Sequence, residues 1–273
     1  MLNMMMLPEL GLLFFFGAIA GVLSGLLGIG GGIVIVPFLV WHFAALGFQE
    51  DLIMVMAVGS SLTTILFTAL SSSWAHHRRG MIDWSTVKRL SPGLLIGSSF
   101  GAMAANLLPT LWFKMIFGGF LLIVAYRMVR KPQTESLKKT HQRRPQGHQG
   151  IVIGGLSSLL GIGGGTLSVP YLMHCGIPLH RAIGTSAALG FPIALAGSVT
   201  YVALGLDRIT LPPGSLGLIY FPAVLGISLT SVPFAPLGAA LAHRWPTKNL
   251  RTLFAILLAF GGMKLLYQGL QGL

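Results

Sequence analysis

The chain has 273 residues, 53% of them hydrophobic and 9% charged, with a formal net charge of +12. Soluble domains carry about 25% charged residues, whereas here the stretches 10–46 and 93–113 contain no Asp, Glu, Lys or Arg, so the composition excludes a soluble domain and predicts an all-α polytopic membrane protein. A nucleic-acid partner is excluded as well, because the basic residues lie in short segments between apolar runs, as in the cytoplasmic loops of membrane proteins.

The first apolar segment, 8–46, is interrupted by glycines, and helices are expected at 50–75, 90–107 and 111–129. The N-terminal residues show neither a basic start nor a clear cleavage site, so no signal peptide is expected. Residues 130–149 are basic, polar and Pro-containing, and read as a cytoplasmic linker. A second glycine-interrupted segment follows at 149–175, then helices at 180–204, 214–242 and 248–270.

The two halves are copies. The block GLLGIGGGIVIVPFL from Gly25 returns as SLLGIGGGTLSVPYL from Ser158. Ala57-Val58-Gly59-Ser60-Ser61 returns as Ala182-Ile183-Gly184-Thr185-Ser186, and Lys114-Met115-Ile116-Phe117 is echoed by Arg251-Thr252-Leu253-Phe254. The expected organisation is therefore a repeat over 1–129, a linker over 130–149 and a repeat over 150–273, with about eight membrane segments in all.

Charge also bears on topology. If both broken segments cross the membrane, the repeats are parallel. If both are re-entrant hairpins turning at the glycines, the repeats are inverted, and the loops around Arg181 and His243–Arg251 move to the side of the linker. The second arrangement concentrates positive charge on the cytoplasmic side and is preferred. The protein is expected to be multi-pass in the cell (inner) membrane.

Each Gly costs about 1 kcal/mol relative to Ala in a helix interior, so paired clusters at membrane depth call for a reason. Broken backbone is tolerated there only inside protein or beside a cavity. Gly-interrupted segments at matching positions of two repeats point to a transporter's binding site. Glycines can turn their N–H groups into a cavity, and a helix restarting at Gly32 or Gly165 adds the positive end of its dipole. Pro37 and Pro170 are expected to bend or break the helices that follow. Close helix packing is the competing use of such glycines.

The second helix of the first half carries Ser60, Thr64, Thr68 and Ser72 on one face. Ser60, Ser61, Thr185 and Ser186 either line a pathway or join helices, and the rest of the stripe reads as packing. His42, His174 and the single cysteine, Cys175, follow the broken segments. A proton relay through either histidine competes with a plain interfacial location. The sequence has no CxxC pair, metal-ligand spacing, HExxH, GxSxG or P-loop. No metal, no cofactor and no enzymatic activity are expected.

G-I-G-G-G followed by V-P-[FY]-L, with A-x-G-[ST]-S in the next helix and all of it present twice, resembles the sulfite exporter TauE/SafE family of membrane permeases. The resemblance covers both halves and leaves out the linker. Ser60 departs mildly from the Thr of the usual motif. The resemblance implies a secondary transporter for a sulfur-containing anion: sulfite, sulfoacetate or another organosulfonate. It places the site at Gly28, Gly30, Gly31, Gly32, Gly161, Gly163, Gly164 and Gly165, with Ser60, Ser61, Thr185 and Ser186; Thr166, next to the second cluster, is a further candidate. A coupling proton fits such a transporter, although no single residue points to it, and the oligomeric state is not legible. A passive anion channel, a carrier of carboxylate or sulfate, and a membrane protein without transport are the alternatives.

Overall fold

The computed structural model describes residues 2–28, 30–129, 145–208, 210–241 and 248–271; most of the expected linker, 130–144, lies outside the described residues. In chain order, α1 (Leu2–Leu27) leads into the first glycine cluster and α2 (Gly32–Ala45) leaves it, followed by α3 (Glu50–His77), α4 (Trp84–Leu107) and α5 (Thr110–Val129). The second half opens with α6 (Gly147–Leu159) and α7 (Gly165–His174) on either side of the second cluster, followed by α8 (Leu179–Gly205), a two-stranded hairpin, α9 (Phe221–Leu241) and α10 (Lys248–Gln271). The helix starting at Gly147 takes in the last residues assigned to the linker.

Residues 10–27 and 110–127, together with α3, α8 and α9, are long and apolar enough to cross a membrane. The protein is an all-α, multi-pass membrane protein. The helices α2 and α7 have 14 and 10 residues. At about 1.5 Å per residue they span roughly 21 and 15 Å, short of the ~30 Å hydrocarbon core.

Three expectations need correction. Pro37 and Pro170 do not break the chain: α2 and α7 run on through them, and the breaks lie at the glycines before. A proline this close to a helix start costs one hydrogen bond but leaves the first turn intact. The helix expected from 90 begins at Trp84, because the Asp83 carboxylate accepts from the N–H groups of Ser85 (3.1 Å) and Thr86 (3.3 Å). Such a cap stabilises a helix by about 1 kcal/mol, which offsets the polar first turn. The helix expected from 214 begins at Phe221. Before it, β1 (Ser215–Leu216) and β2 (Ile219–Tyr220) pair antiparallel, with Ser215 opposite Tyr220 and Gly217 in the turn at φ 55°.

Among the described residues, α3 packs against α8 at the centre, and α1 lies on α9, α6 on α4, and α5 on α10. The helix α3 also meets α9, as α8 meets α4, and α2 and α7 rest on α3 and α8 respectively. Of the most apolar stretch of α3, 89% is buried, against 33% for α5. The outer helices turn large apolar side chains outward, such as Phe100 on α4, Leu229 on α9 and Phe260 on α10. An apolar outer face suits lipid as solvent.

Glycines set the close approaches. A Cβ on Gly17, Gly21 or Gly25 of α1 would run into the α9 backbone at Ile227, Ser231 and Ala235. Likewise, Gly93, Gly97 and Gly101 of α4 face the α6 backbone at Gly147, Ile151 and Gly155. Without a hydrophobic force between helices in lipid, such backbone contact supplies the dispersion that holds them.

Candidate functional site

At the first break Gly28 (φ 65°), Gly30 (φ 79°) and Gly31 (φ 75°) are left-handed, and Gly31 stands just before α2. At the second break Gly161 (φ 64°) and Gly164 (φ 79°) take the corresponding conformations, with Gly164 just before α7. Any residue with a Cβ pays about 1–2 kcal/mol at such a position. Ile29 lies outside the described residues. The remaining glycines of both clusters are buried.

The tips of the breaks touch. A Cβ on Gly30 would stand 2.9 Å from the Gly163 Cα, and one on Gly32 would strike the Gly161 carbonyl oxygen. The predicted glycines are thus gathered into one buried cluster between α3 and α8, where Gly28 abuts the Ile183 backbone and Gly161 abuts Val58.

Of the predicted hydroxyls, those of Ser60, Ser61, Thr185 and Ser186 are fully buried and bond backbone across the two halves, whereas Thr166 is half-buried and makes no such bond. Ser61 Oγ donates to the Gly161 carbonyl oxygen at 2.8 Å, and Ser186 Oγ donates to the Gly28 carbonyl oxygen at 3.2 Å. Ser60 Oγ accepts from the Tyr220 N–H at 2.9 Å, just before α9. Thr185 Oγ1 accepts from the Asp83 N–H at 3.0 Å, just before α4. The rest of the α3 stripe is packing: Thr64 and Thr68 donate to carbonyls one turn back, Thr68 meets Ser231 Oγ at 3.1 Å, and Ser72 reaches the Ser24 carbonyl.

Sequence reasoning passed over a further group. Ser157, Ser158 and Ser168 are fully buried, and their Oγ atoms, like Thr166 Oγ1, have no hydrogen-bond partner in the structure. The available signal was the contrast between G-T-L-S-V-P in the second half and G-I-V-I-V-P in the first.

The other polar residues stand away from the breaks. His42 is buried on α2 and stacks on Phe38 at 5.6 Å, whereas His174 is exposed at the end of α7. Buried Lys114 pairs with Glu50 at 2.7 Å, and Arg208 donates to Asn106 at 2.8 Å. A cavity of about 560 Å³ is lined by Arg89, Gln146, Tyr171, His174 and Cys175. Another, of about 210 Å³, is lined by Asp51, Asn106, Thr110 and Arg208. Neither is lined by a glycine of the breaks. Among the described residues no cluster of His, Cys, Asp and Glu could hold a metal ion.

Among the described residues the breaks thus bring together neutral hydroxyls, two helix N-termini and glycine turns. The family described as sulfite exporter TauE/SafE matches residues 13–265. A probable membrane transporter protein of Haemophilus influenzae is 38% identical over 245 residues, covering 89% of this chain and 92% of its own. The probable membrane transporter protein YunE of Bacillus subtilis is 30% identical, covering 95% and 98%. One from Methanocaldococcus jannaschii is 26% identical, covering 94% and 95%. No solved structure matches. With two glycine breaks meeting at its centre and a family match over nearly all its length, the chain belongs to the sulfite exporter TauE/SafE family of membrane transporters.

Proposed function

We propose that the protein is a secondary transporter that carries a small sulfur-containing oxyanion, such as sulfite, sulfoacetate or another organosulfonate, by alternating access at the paired glycine breaks. The observation that carries this reading is the contact between Gly30 and Gly163, which brings the starts of α2 and α7 together in the middle of the fold. Two helix N-termini offer backbone N–H groups and positive dipole ends to an oxyanion. The donors are neutral, so the anion is bound without being trapped.

The two halves, 1–129 and 150–273, act as inverted repeats, each opening with a hairpin that turns at the glycines; the fit is better in the second half, because residues 10–27 of α1 are by themselves long enough to cross. Several features favour this. The Gln146 N–H at the start of α6 reaches the Tyr171 hydroxyl near the end of α7 at 3.2 Å, which favours a hairpin with both ends on one side. The helix α2 is too short to cross and stacks back on α1 through Phe16 and Phe38, whose ring centroids are 4.0 Å apart. The helix pairings also recur with the halves exchanged. The basic linker then lies in the cytoplasm and the chain in the inner membrane. Buried glycines at both breaks fit an occluded stage of the cycle.

Counterflow tests this. Liposomes holding the purified protein and loaded with unlabelled sulfite should draw in labelled sulfite transiently above its external concentration, as only an alternating-access carrier does. Simple equilibration at a rate proportional to concentration would indicate a channel instead.

A further inference from the structure

We propose that the oxyanion is held asymmetrically, at the second break, by the hydroxyls of Ser157 and Ser168 together with the first-turn N–H groups of α7. This rests on the transporter reading above and deepens it. The two breaks are alike in backbone but not in side chains, and the difference is chemical.

Ser157 Oγ and Ser168 Oγ are unpartnered on fully buried residues. Buried hydroxyls are nearly always paired, and those that are not call for an explanation. Both converge on Gly164, the residue before α7: a Cβ there would stand 3.3 Å from Ser168 Oγ and 3.6 Å from Ser157 Oγ. Gly164 has no side chain with which to cap α7; the Leu167 and Ser168 N–H groups turn back to its carbonyl oxygen, at 2.9 and 2.7 Å, which leaves those of Gly165 and Thr166 without a side-chain acceptor. Two O–H donors and a helix N-terminus thus face one point, and the group that satisfies all of them is an acceptor carrying negative charge.

The first break lacks this seat. Buried Ser24 stands where the second half has Ser157, but Ile33 and Ile35 stand where it has Thr166 and Ser168, so the second hydroxyl of the seat is missing. The direction a Cβ on Gly31 would take is filled by the Ala20 backbone and Cβ. An oxyanion seated at that point would meet the Ala20 carbonyl oxygen and methyl group. Ile193 Cδ1 of α8 lies over the point on which Ser157 and Ser168 converge. The seat is therefore closed in this conformation, and it opens when that side chain turns away.

Calorimetric titration of sulfite into the purified protein tests the proposal. Ser157→Ala and Ser168→Ala should each weaken sulfite binding by about tenfold or more, as expected for losing a hydrogen bond to a charged ligand. The unfolding midpoint of the ligand-free protein should stay unchanged or rise, because each variant removes an unpartnered hydroxyl. Ile35→Val, at the mirrored place, should leave the affinity within about twofold. Wild-type affinity in both serine variants would overturn the seat and leave the transporter reading standing. So would a midpoint that falls in step with affinity, the mark of a structural role. A wild-type protein that binds neither sulfite nor a sulfonate would overturn both.

Discussion

Ser61 in α3 holds the carbonyl oxygen of Gly161, and Ser186 in α8 holds that of Gly28. Each half thus fastens the other's glycine break, through a residue whose counterpart in the other half does the same. The breaks are pinned by hydroxyls on the two central helices. Movement of one half against the other must strain or exchange these two bonds.

Removing the Ser61 hydroxyl leaves the buried Gly161 carbonyl without its side-chain donor. Ser61→Ala should destabilise the protein by about 1–3 kcal/mol, read as a lowered unfolding midpoint in detergent. Transport should fall with it, and sulfite affinity should change less than in Ser168→Ala.

Gly31 and Gly164 combine a left-handed backbone with no room for a side chain. Valine at Gly31 would meet the Ala20 carbonyl oxygen 2.7 Å from its Cβ, and at Gly164 it would displace Ile193. Each change adds this contact to a conformational cost of about 1–2 kcal/mol. Gly31→Val and Gly164→Val should both abolish transport in a flux assay.

Much of this was legible in the sequence. The glycine clusters and the Ser60–Ser61 and Thr185–Ser186 pairs stood out because each occurs twice in order. What these hydroxyls touch was not legible, since their partners Gly161, Gly28, Tyr220 and Asp83 lie in the opposite half. The α4 start was hidden because a single capping carboxylate, Asp83, outweighs the polar residues after it. The hairpin before α9 was hidden because its strands are as apolar as the helix they precede. Gly17, Gly21 and Gly25, spaced at one helical turn, carried a packing signal that the cluster beside them overshadowed.

The ion pair between α3 and α5 is asymmetric: the Lys114 side chain is 10% exposed and that of Glu50 is 79% exposed. Glu50→Gln strands a buried cation, whereas Lys114→Met leaves a carboxylate that water takes up. Thermal unfolding should therefore show a larger loss for Glu50→Gln than for Lys114→Met.

Inverted repeats make a labelling prediction. In a Cys175→Ala background, Gln49→Cys at the end of the α1–α2 hairpin should react with a membrane-impermeant thiol reagent from outside the cell. Leu179→Cys, after the α6–α7 hairpin, should react only once the cytoplasmic face is opened. Labelling of both from one side would show parallel repeats instead.

The most direct test of the central claim is uptake of labelled sulfite, sulfoacetate and taurine into liposomes holding the purified protein, with and without an imposed proton gradient. Accumulation of one of these sulfur anions above equilibrium, lost in Gly164→Val, is the predicted result. Absence of flux for all of them, or flux that only equilibrates whatever the gradient, would contradict a coupled transporter of sulfur oxyanions.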